Sequence, residues 1–454
     1  MKHASKVIWL LLVMALVAAA CGDDSTTTTT AASTTTAAPV TTQAATTTAA
    51  PVSSVQEIRI GLLFPYTGSF GFLGTEQANG VKLVLEAANI TGGIAGVPII
   101  IIEADSQSDP AIGATEAQRL IDQDHVDIII GSYSSGISAS ASPVAERNGV
   151  IFWEVGAVAD NLSQQGYKYY LRTVGNAASY GAANLDFVEN FVAPQMGIAP
   201  EDVRIAIVNE NGAFGTSVGD GIENQAAARG YDVVIRESYD DRSPDMTPVV
   251  LRVKNAAPDV LFIVPLPAST KLFWEAAREQ DFNVLAVVGS AGFGSSSFPD
   301  TFGAAGVEGA MDVEAPSIAF MDTTGLQADV SAVFQQYLAQ YQAEYGRPCL
   351  VHCGDGMGSA YVLVSDVLPR AITEFDSVDA DSIRAAADAT DIPVGGTLQG
   401  FGVKFAAVGE PNAGDNTRAF SVIMQWRDGN LVTVWPASLA VMEPTFPLPP
   451  WSER

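Results

Sequence analysis

Cysteine and histidine are scarce in this chain of 454 residues, with three of each, and positive charge is scarce too: 23 Lys and Arg stand against 51 Asp and Glu. Each shortage excludes something. A nucleic-acid binder neutralises phosphates with a basic stripe; a net charge of −28 with no basic window supplies none, so no nucleic acid is expected as a partner. Cys and His gather in one place, Cys349, His352 and Cys353. That group lacks a fourth ligand and a second cluster, so neither a metal nor a cofactor is expected. Charged residues amount to 16 %, against about 25 % in typical soluble proteins, while hydrophobic residues reach 48 %. That balance supports a sizeable core and excludes disorder of the whole chain. No segment beyond the first twenty residues is apolar for long enough to span a bilayer.

What is present begins with a secretion signal. Lys2 and Lys6 precede an uncharged apolar run over 7–20, which ends in Ala18, Ala19 and Ala20 before Cys21. The run is short for a bilayer span, and small residues before a break mark a cleavage site. Ending at a Cys resembles the lipobox of bacterial lipoproteins, which implies that Cys21 is acylated and becomes the mature N-terminus. Residues 1–20 are therefore read as a lipoprotein signal peptide, and 21–56 as the lipidated Cys with a linker rich in Thr and Ala. The linker has too few large apolar residues to offset its ordering entropy by burial. As a random coil it would hold the globular part of the chain on the order of 3 nm from the membrane.

From Glu57 onward, short β-rich runs alternate with amphipathic helical stretches. Strands are expected over 58–64, 98–104, 126–131 and 150–153, with helices over 75–89, 111–124 and 138–148 between them. The rhythm repeats with strands over 204–209, 233–237, 260–264 and 284–289, and helices over 216–229, 246–255 and 269–280. Continuous apolar runs such as Ile99-Ile100-Ile101-Ile102 point to parallel sheet covered on both faces. The fold class expected is α/β, two doubly wound parallel-sheet lobes with a hinge and a cleft between them. In such sheets ligands sit beyond the carboxyl ends of the strands, among the adjoining loops and helix N-termini. The loops to read are then 65–74, 105–109, 132–136, 154–160, 209–215, 265–269 and 290–297.

Along those loops run Ile60-Gly61-Leu62, Pro65-Tyr66-Thr67-Gly68, Asp105-Ser106-Gln107-Ser108-Asp109-Pro110, Ser134-Ser135-Gly136, Pro143-Val144-Ala145-Glu146, Leu171-Arg172-Thr173 and Gly212-Ala213-Phe214-Gly215, with Gln425-Trp426-Arg427-Asp428-Gly429 near the end. In order and spacing the stretch 57–436 resembles the branched-chain amino acid branch of the periplasmic-type solute-binding proteins of ABC transporters. The resemblance implies a Venus-flytrap fold that carries out no chemistry. Its lobe 1 would be 57–175 plus 313–391, its lobe 2 176–312 plus 392–446, with three crossovers, and 447–454 a tail. The ligand-bound closed form would dock on a membrane permease. The function expected is an extracytoplasmic receptor of an ABC importer, a monomer anchored to the outer face of the cell membrane by Cys21. A membrane-tethered sensor of the same fold is the alternative, since one fold serves both.

Carried over position by position, the resemblance makes Ser135 the residue that holds a ligand carboxylate, with Ser134 beside it at the start of a helix, where N–H groups and the helix dipole favour an anion. Ser135 as a simple N-cap is compatible with that. Gly156 and Ala157 occupy a second anion-contacting loop, where small residues permit close approach. Val158 stands where the family has a Thr, and Ala291 where it has the Glu that pairs with a ligand ammonium. Leu266 or Pro267 replaces an aromatic, and Phe214 a Tyr. A buried ammonium without a carboxylate partner would cost several kcal/mol, which argues against a plain Leu, Ile or Val zwitterion. Phe70, Phe72, Leu73, Tyr133, Phe214 and Phe293 would make the pocket apolar, although each could equally serve lobe packing. Glu154 beside the second loop is read as a solvated loop carboxylate, with a substitute cation partner as the alternative. The ligand expected is a small organic, amino-acid-like molecule, with a carboxylate or amide end and an apolar body.

The remaining cysteines, Cys349 and Cys353, are expected to pair in an oxidising compartment. Gly215-Thr216-Ser217-Val218-Gly219 matches the nucleophile elbow of α/β-hydrolases. Its Ser217 falls inside an expected helix rather than on a turn after a strand, so no enzyme activity is expected.

Overall fold

The computed structural model describes residues 53–317 and 319–454; the signal peptide, Cys21 and most of the linker lie outside the described residues. Twelve strands form two sheets among those residues. The first sheet holds β1 (Ile58–Phe64), β2 (Ile99–Asp105), β3 (Ile128–Gly131), β4 (Ile151–Glu154) and β5 (Tyr170–Arg172), all parallel, in the order β2-β1-β3-β4-β5. The second holds β6 (Arg204–Glu210), β7 (Asp232–Tyr239), β8 (Val260–Val264), β9 (Ala286–Gly289), β10 (Met311–Glu314), β11 (Val422–Arg427) and β12 (Asn430–Trp435). Its order is β12-β11-β10-β9-β8-β6-β7, with β11 and β12 antiparallel at one edge. Each sheet is the centre of a lobe.

The central strands are buried along their whole length, as β3 (Ile-Ile-Ile-Gly) and β8 (Val-Leu-Phe-Ile-Val) show. The isoleucine run of β2 is not: Ile100 is exposed and Ile101 and Ile102 are half-buried, because β2 is an edge strand with its outer side uncovered. Helix ends follow local chemistry. Asp109 accepts from the backbone N–H groups of Ala111 and Ile112, with Pro110 at the first helical position of Pro110–Asp122.

After β10 the chain returns to the first lobe, where the helices Ala328–Tyr345, Val351–Val362, Leu368–Phe375 and Ala380–Asp388 share a core with β1, β3 and β4. Helix Val351–Val362 lies backbone to backbone on helix Gly71–Ile90. A Cβ at Gly80 would come within 2.2 Å of the Cys353 carbonyl oxygen, and one at Gly356 within 2.1 Å of that of Gln77. No side chain fits at either position. This contact, with the Cys349–Cys353 disulfide at the start of the helix, fixes the face that carries His352 and Asp355.

The lobe boundary expected at 392 needs correction. Leu398, Val403 and Phe405 lie in the first core, and Asp415 pairs with Arg172 of β5, so the third crossing comes after 416. No strand or helix period marks 392–416, which holds on by side-chain burial and isolated bridges. The tail also belongs to a lobe. Leu448 is buried, the Trp451 ring lies 4.9 Å from that of Trp274, and its indole N–H donates to the Phe282 carbonyl oxygen.

Candidate functional site

Loops from both lobes converge on one cavity of about 460 Å³, counting the part that opens to solvent. The first lobe contributes Phe70 after β1, Tyr133, Ser134 and Ser135 after β3, Gly156 and Val158 after β4, and His352 and Asp355 from helix Val351–Val362. The second contributes Tyr180, Phe214 after β6, Leu266 after β8, Ala291 after β9 and Glu314 at the end of β10. Of the residues read from the sequence, Phe70, Tyr133, Ser134, Ser135, Gly156, Phe214 and Ala291 therefore meet here.

Others do not. Leu73 is buried and Phe72 half-exposed beside a separate hollow with Pro267 and Lys271, where the Arg347 guanidinium covers the Phe72 ring at 5.1 Å. The helix begins at Gly71, and its turn carries both side chains away from the cavity. Ala157 lies behind the wall, its N–H already bonded.

That bond gives the whole second loop a different role. Oε1 of Glu154, a wholly buried residue, accepts from the backbone N–H groups of Ser132 (3.2 Å), Val155 (3.1 Å), Gly156 (2.9 Å) and Ala157 (2.7 Å), while Oε2 accepts from the Ser138 hydroxyl. The protein's own carboxylate fills the cradle expected to hold a ligand anion, and Glu154 is not solvated. Glu210 does the same across the cleft, accepting from the N–H groups of Gly212 and Gly215 at the start of helix Ala213–Arg229. The start of helix Ser135–Asn148 is different. Ser134 is its N-cap, but the hydroxyl makes no cap bond, while the Ser135 hydroxyl accepts from Ala159 N–H at 3.3 Å.

The acidic partner missing at Ala291 comes from elsewhere. Glu314 accepts from the Ala291 N–H at 2.8 Å through Oε1 and from the Tyr180 hydroxyl through Oε2. Asp355 accepts from the Gln399 amide at 3.1 Å through Oδ1. Asp312 stands two residues before Glu314, on the same face of β10, wholly buried, with neither oxygen bonded among the described residues. An ammonium group is thus not excluded by the absence of an acid at 291, since two other carboxyls line the cavity. The strand's alternation, Met-Asp-Val-Glu, was the available signal: two acids on one face of a buried strand.

Backbone strain gathers at the same place. Tyr133 (φ 72°) and Ala291 (φ 50°) are held in the left-handed region that L side chains disfavour, and both face the cavity. The Tyr133 ring lies 5.9 Å from Phe70 and 5.3 Å from His352.

Burial governs the charges. It pushes Glu314 up to about 7 and, with Glu314 nearby, raises Asp312 and Asp355 well above the usual carboxylate range. It pushes His352 down to about 4, so this imidazole is neutral at pH 7. Glu76, buried beside Arg347, is also raised to about 7. The groups around Glu314 are Asp312 on its own strand, Tyr180 of helix Ala177–Phe187, and Asp355 of helix Val351–Val362. A folded state with raised carboxyl pKa values keeps protons that the unfolded chain gives up near pH 4.5, so rising pH favours unfolding until the folded groups ionise too. The melting temperature of the unliganded protein should therefore fall from pH 5 to pH 8, and Glu314→Gln should flatten the fall. Calorimetry across that range checks it; an equal slope in the variant would refute the assignment to Glu314.

A family model described as periplasmic binding protein matches residues 57–429. The chain is 31 % identical over 394 residues to Leu/Ile/Val-binding protein homolog 7 of Brucella abortus, covering 86 % of this chain and 94 % of the relative. Its fold is similar to that of a leucine-binding protein, LivK, from Thermotoga maritima, with TM-score 0.69 and 19 % identity over 83 % of this chain and 97 % of the other. It is also similar to the branched-chain amino acid transporter substrate-binding protein LivJ from Streptococcus pneumoniae, solved with isoleucine, with TM-score 0.68 and 20 % identity over 84 % and 100 %.

Proposed function

Because this chain belongs to the periplasmic binding protein family, a family of extracytoplasmic solute receptors rather than enzymes, we propose that it captures a small organic, amino-acid-like solute between its lobes and delivers it to the permease of an ABC importer. In this reading it works as a monomer, held to the outer face of the membrane by lipid on Cys21 and spaced from it by the Thr-rich linker. One observation supports the reading above the others: the cavity wall is divided between the lobes, with Ser134, Ser135 and Asp355 on one side and Phe214, Ala291 and Glu314 on the other. A solute touching both sides makes all its contacts only when the lobes are together, so it stabilises the closed form by its differential affinity. The apolar body would lie against Phe70, Tyr133, Phe214 and Leu266, and a polar end would reach the free Ser134 hydroxyl or the carboxyls. The names of the relatives, Leu/Ile/Val-binding, support a solute of amino-acid size.

Small-angle scattering of the purified protein across a panel of amino acids, amines, amides and aromatic acids tests this. At least one compound should shrink the radius of gyration and raise the melting point; a solute at 100 times its Kd contributes about 2.7 kcal/mol. If a compound raised the melting point without shrinking the particle, capture by closure would be wrong.

A further inference from the structure

The cavity walls hold acids without bases. Glu314 and Asp355 line it and Asp312 stands behind them, while neither Lys nor Arg is among the lining residues and His352 is neutral. Asp355 is 5 % exposed, and its second oxygen has no hydrogen-bond partner among the described residues. Glu314 spends its oxygens on the Tyr180 hydroxyl and the Ala291 N–H, two neutral donors. Among the described residues no cationic side chain pairs with these carboxyls, and buried carboxyls without compensation are costly.

The sites that would attract negative charge are mostly spent. Glu154 and Glu210 occupy the backbone cradles of the two lobes, which leaves the start of helix Ser135–Asn148, with the Ser134 hydroxyl, as the anion-favouring point of the wall that no carboxylate of the described residues fills. The aromatic faces of Phe70, Tyr133 and Phe214 attract cations as well as apolar groups. A neutral zwitterion brings one positive and one negative charge to a wall with more acids than that. In the empty cavity burial favours the protonated acids; a bound cation makes their ionised form favourable, which a carboxylic acid cannot do.

We propose that this cavity selects solutes of net positive charge, an amine or guanidine on an apolar stem, over neutral zwitterions and carboxylic acids. The proposal rests on the receptor reading above and names the solute class for the same cavity. The cationic group sits between Asp355 and Glu314, displacing the Tyr180 hydroxyl or sharing Glu314 with it, and the stem runs between Phe70 and Phe214. The shared chemistry is the cation; whether the solute also carries a carboxylate depends on the start of helix Ser135–Asn148.

Titration calorimetry on the full chain with arginine, agmatine, leucine and benzoate tests it. Arginine or agmatine should bind at least about tenfold more tightly than leucine or benzoate. Arginine ahead of agmatine assigns the helix start to a carboxylate; agmatine ahead assigns it to none, and either supports the proposal. Asp355→Asn should weaken the favoured cation at least about tenfold while the unliganded melting point holds or rises, since a buried carboxyl without a charged partner has gone. Glu314→Gln serves should that variant fail to fold. Leucine or benzoate binding more tightly than both cations, with closure in scattering, would overturn the proposal and leave the receptor standing. Failure of both cations to bind overturns it as well, and absence of closure with every solute takes the receptor reading down too.

Discussion

Asp415→Ala is expected to destabilise the protein by about 3–5 kcal/mol, the usual consequence of stripping one partner from a buried ion pair. Arg172 is wholly buried at the end of β5, and Asp415 grips it with both oxygens, Nε to Oδ1 at 3.0 Å and Nη2 to Oδ2 at 3.0 Å. The same guanidinium donates through Nη1 to the carbonyl oxygens of Ala157 (3.1 Å) and Ala159 (2.8 Å). Asp415 in turn accepts from the Ser163 hydroxyl at 3.0 Å and the Asn176 amide at 3.2 Å. An arginine cannot shed its proton to relieve the loss, so the variant must either admit water or move the loop. That loop carries Gly156 and Val158 into the cavity, so solute affinity should fall along with stability. Urea denaturation of Asp415→Ala and Asp415→Asn measures the effect, with Asn retaining part of it. A loss below about 1 kcal/mol would mean that water already reaches the pair.

Glu154→Ala should cost as much or more. One carboxylate oxygen meets four backbone N–H groups and the other the Ser138 hydroxyl, with no water-exposed surface on the residue. Each donor left unmet costs about 1–3 kcal/mol; allowing for a water that enters the vacated space, the expected loss is roughly 4 kcal/mol. Glu154→Gln keeps one acceptor oxygen and should fall between the two. The emptied cradle would also attract anions, so added chloride or acetate should stabilise the alanine variant more than the parent. Equal stabilities of Glu154→Ala and parent in urea would show that the carboxylate is replaceable there.

The strand and helix rhythm was legible because its signals are local. Central strands such as β3 and β8 are continuous apolar runs, and the loops after them begin where each run stops. Phe70, Tyr133, Ser134, Ser135, Gly156, Phe214 and Ala291 were found on that basis, aided by a family pattern for the loops. What escaped depends on partners distant in sequence. Glu314 looks like any strand-end acid until Tyr180 is placed 134 residues away. Glu154 reads as a loop carboxylate because four N–H groups folding around one oxygen leave no trace in composition. Phe72 and Phe70 are two residues apart, and only the start of the helix at Gly71 separates the one that faces the cavity from the one that does not. The stretch 392–416 has no period to read, since its attachment to the first core rests on a few side chains and the Asp415 carboxylate.

Arg172 and Asp415 are 243 residues apart in the chain, and the second sheet takes β11 and β12 from the residues just beyond Asp415. A ribosome that has delivered the first five strands has therefore delivered an arginine with no counterion, and one that has gone on to β10 has left the second sheet without β11 and β12. Neither half can finish until nearly the last tenth of the polypeptide has emerged. Early completion of either lobe during synthesis is thus discouraged by wiring alone.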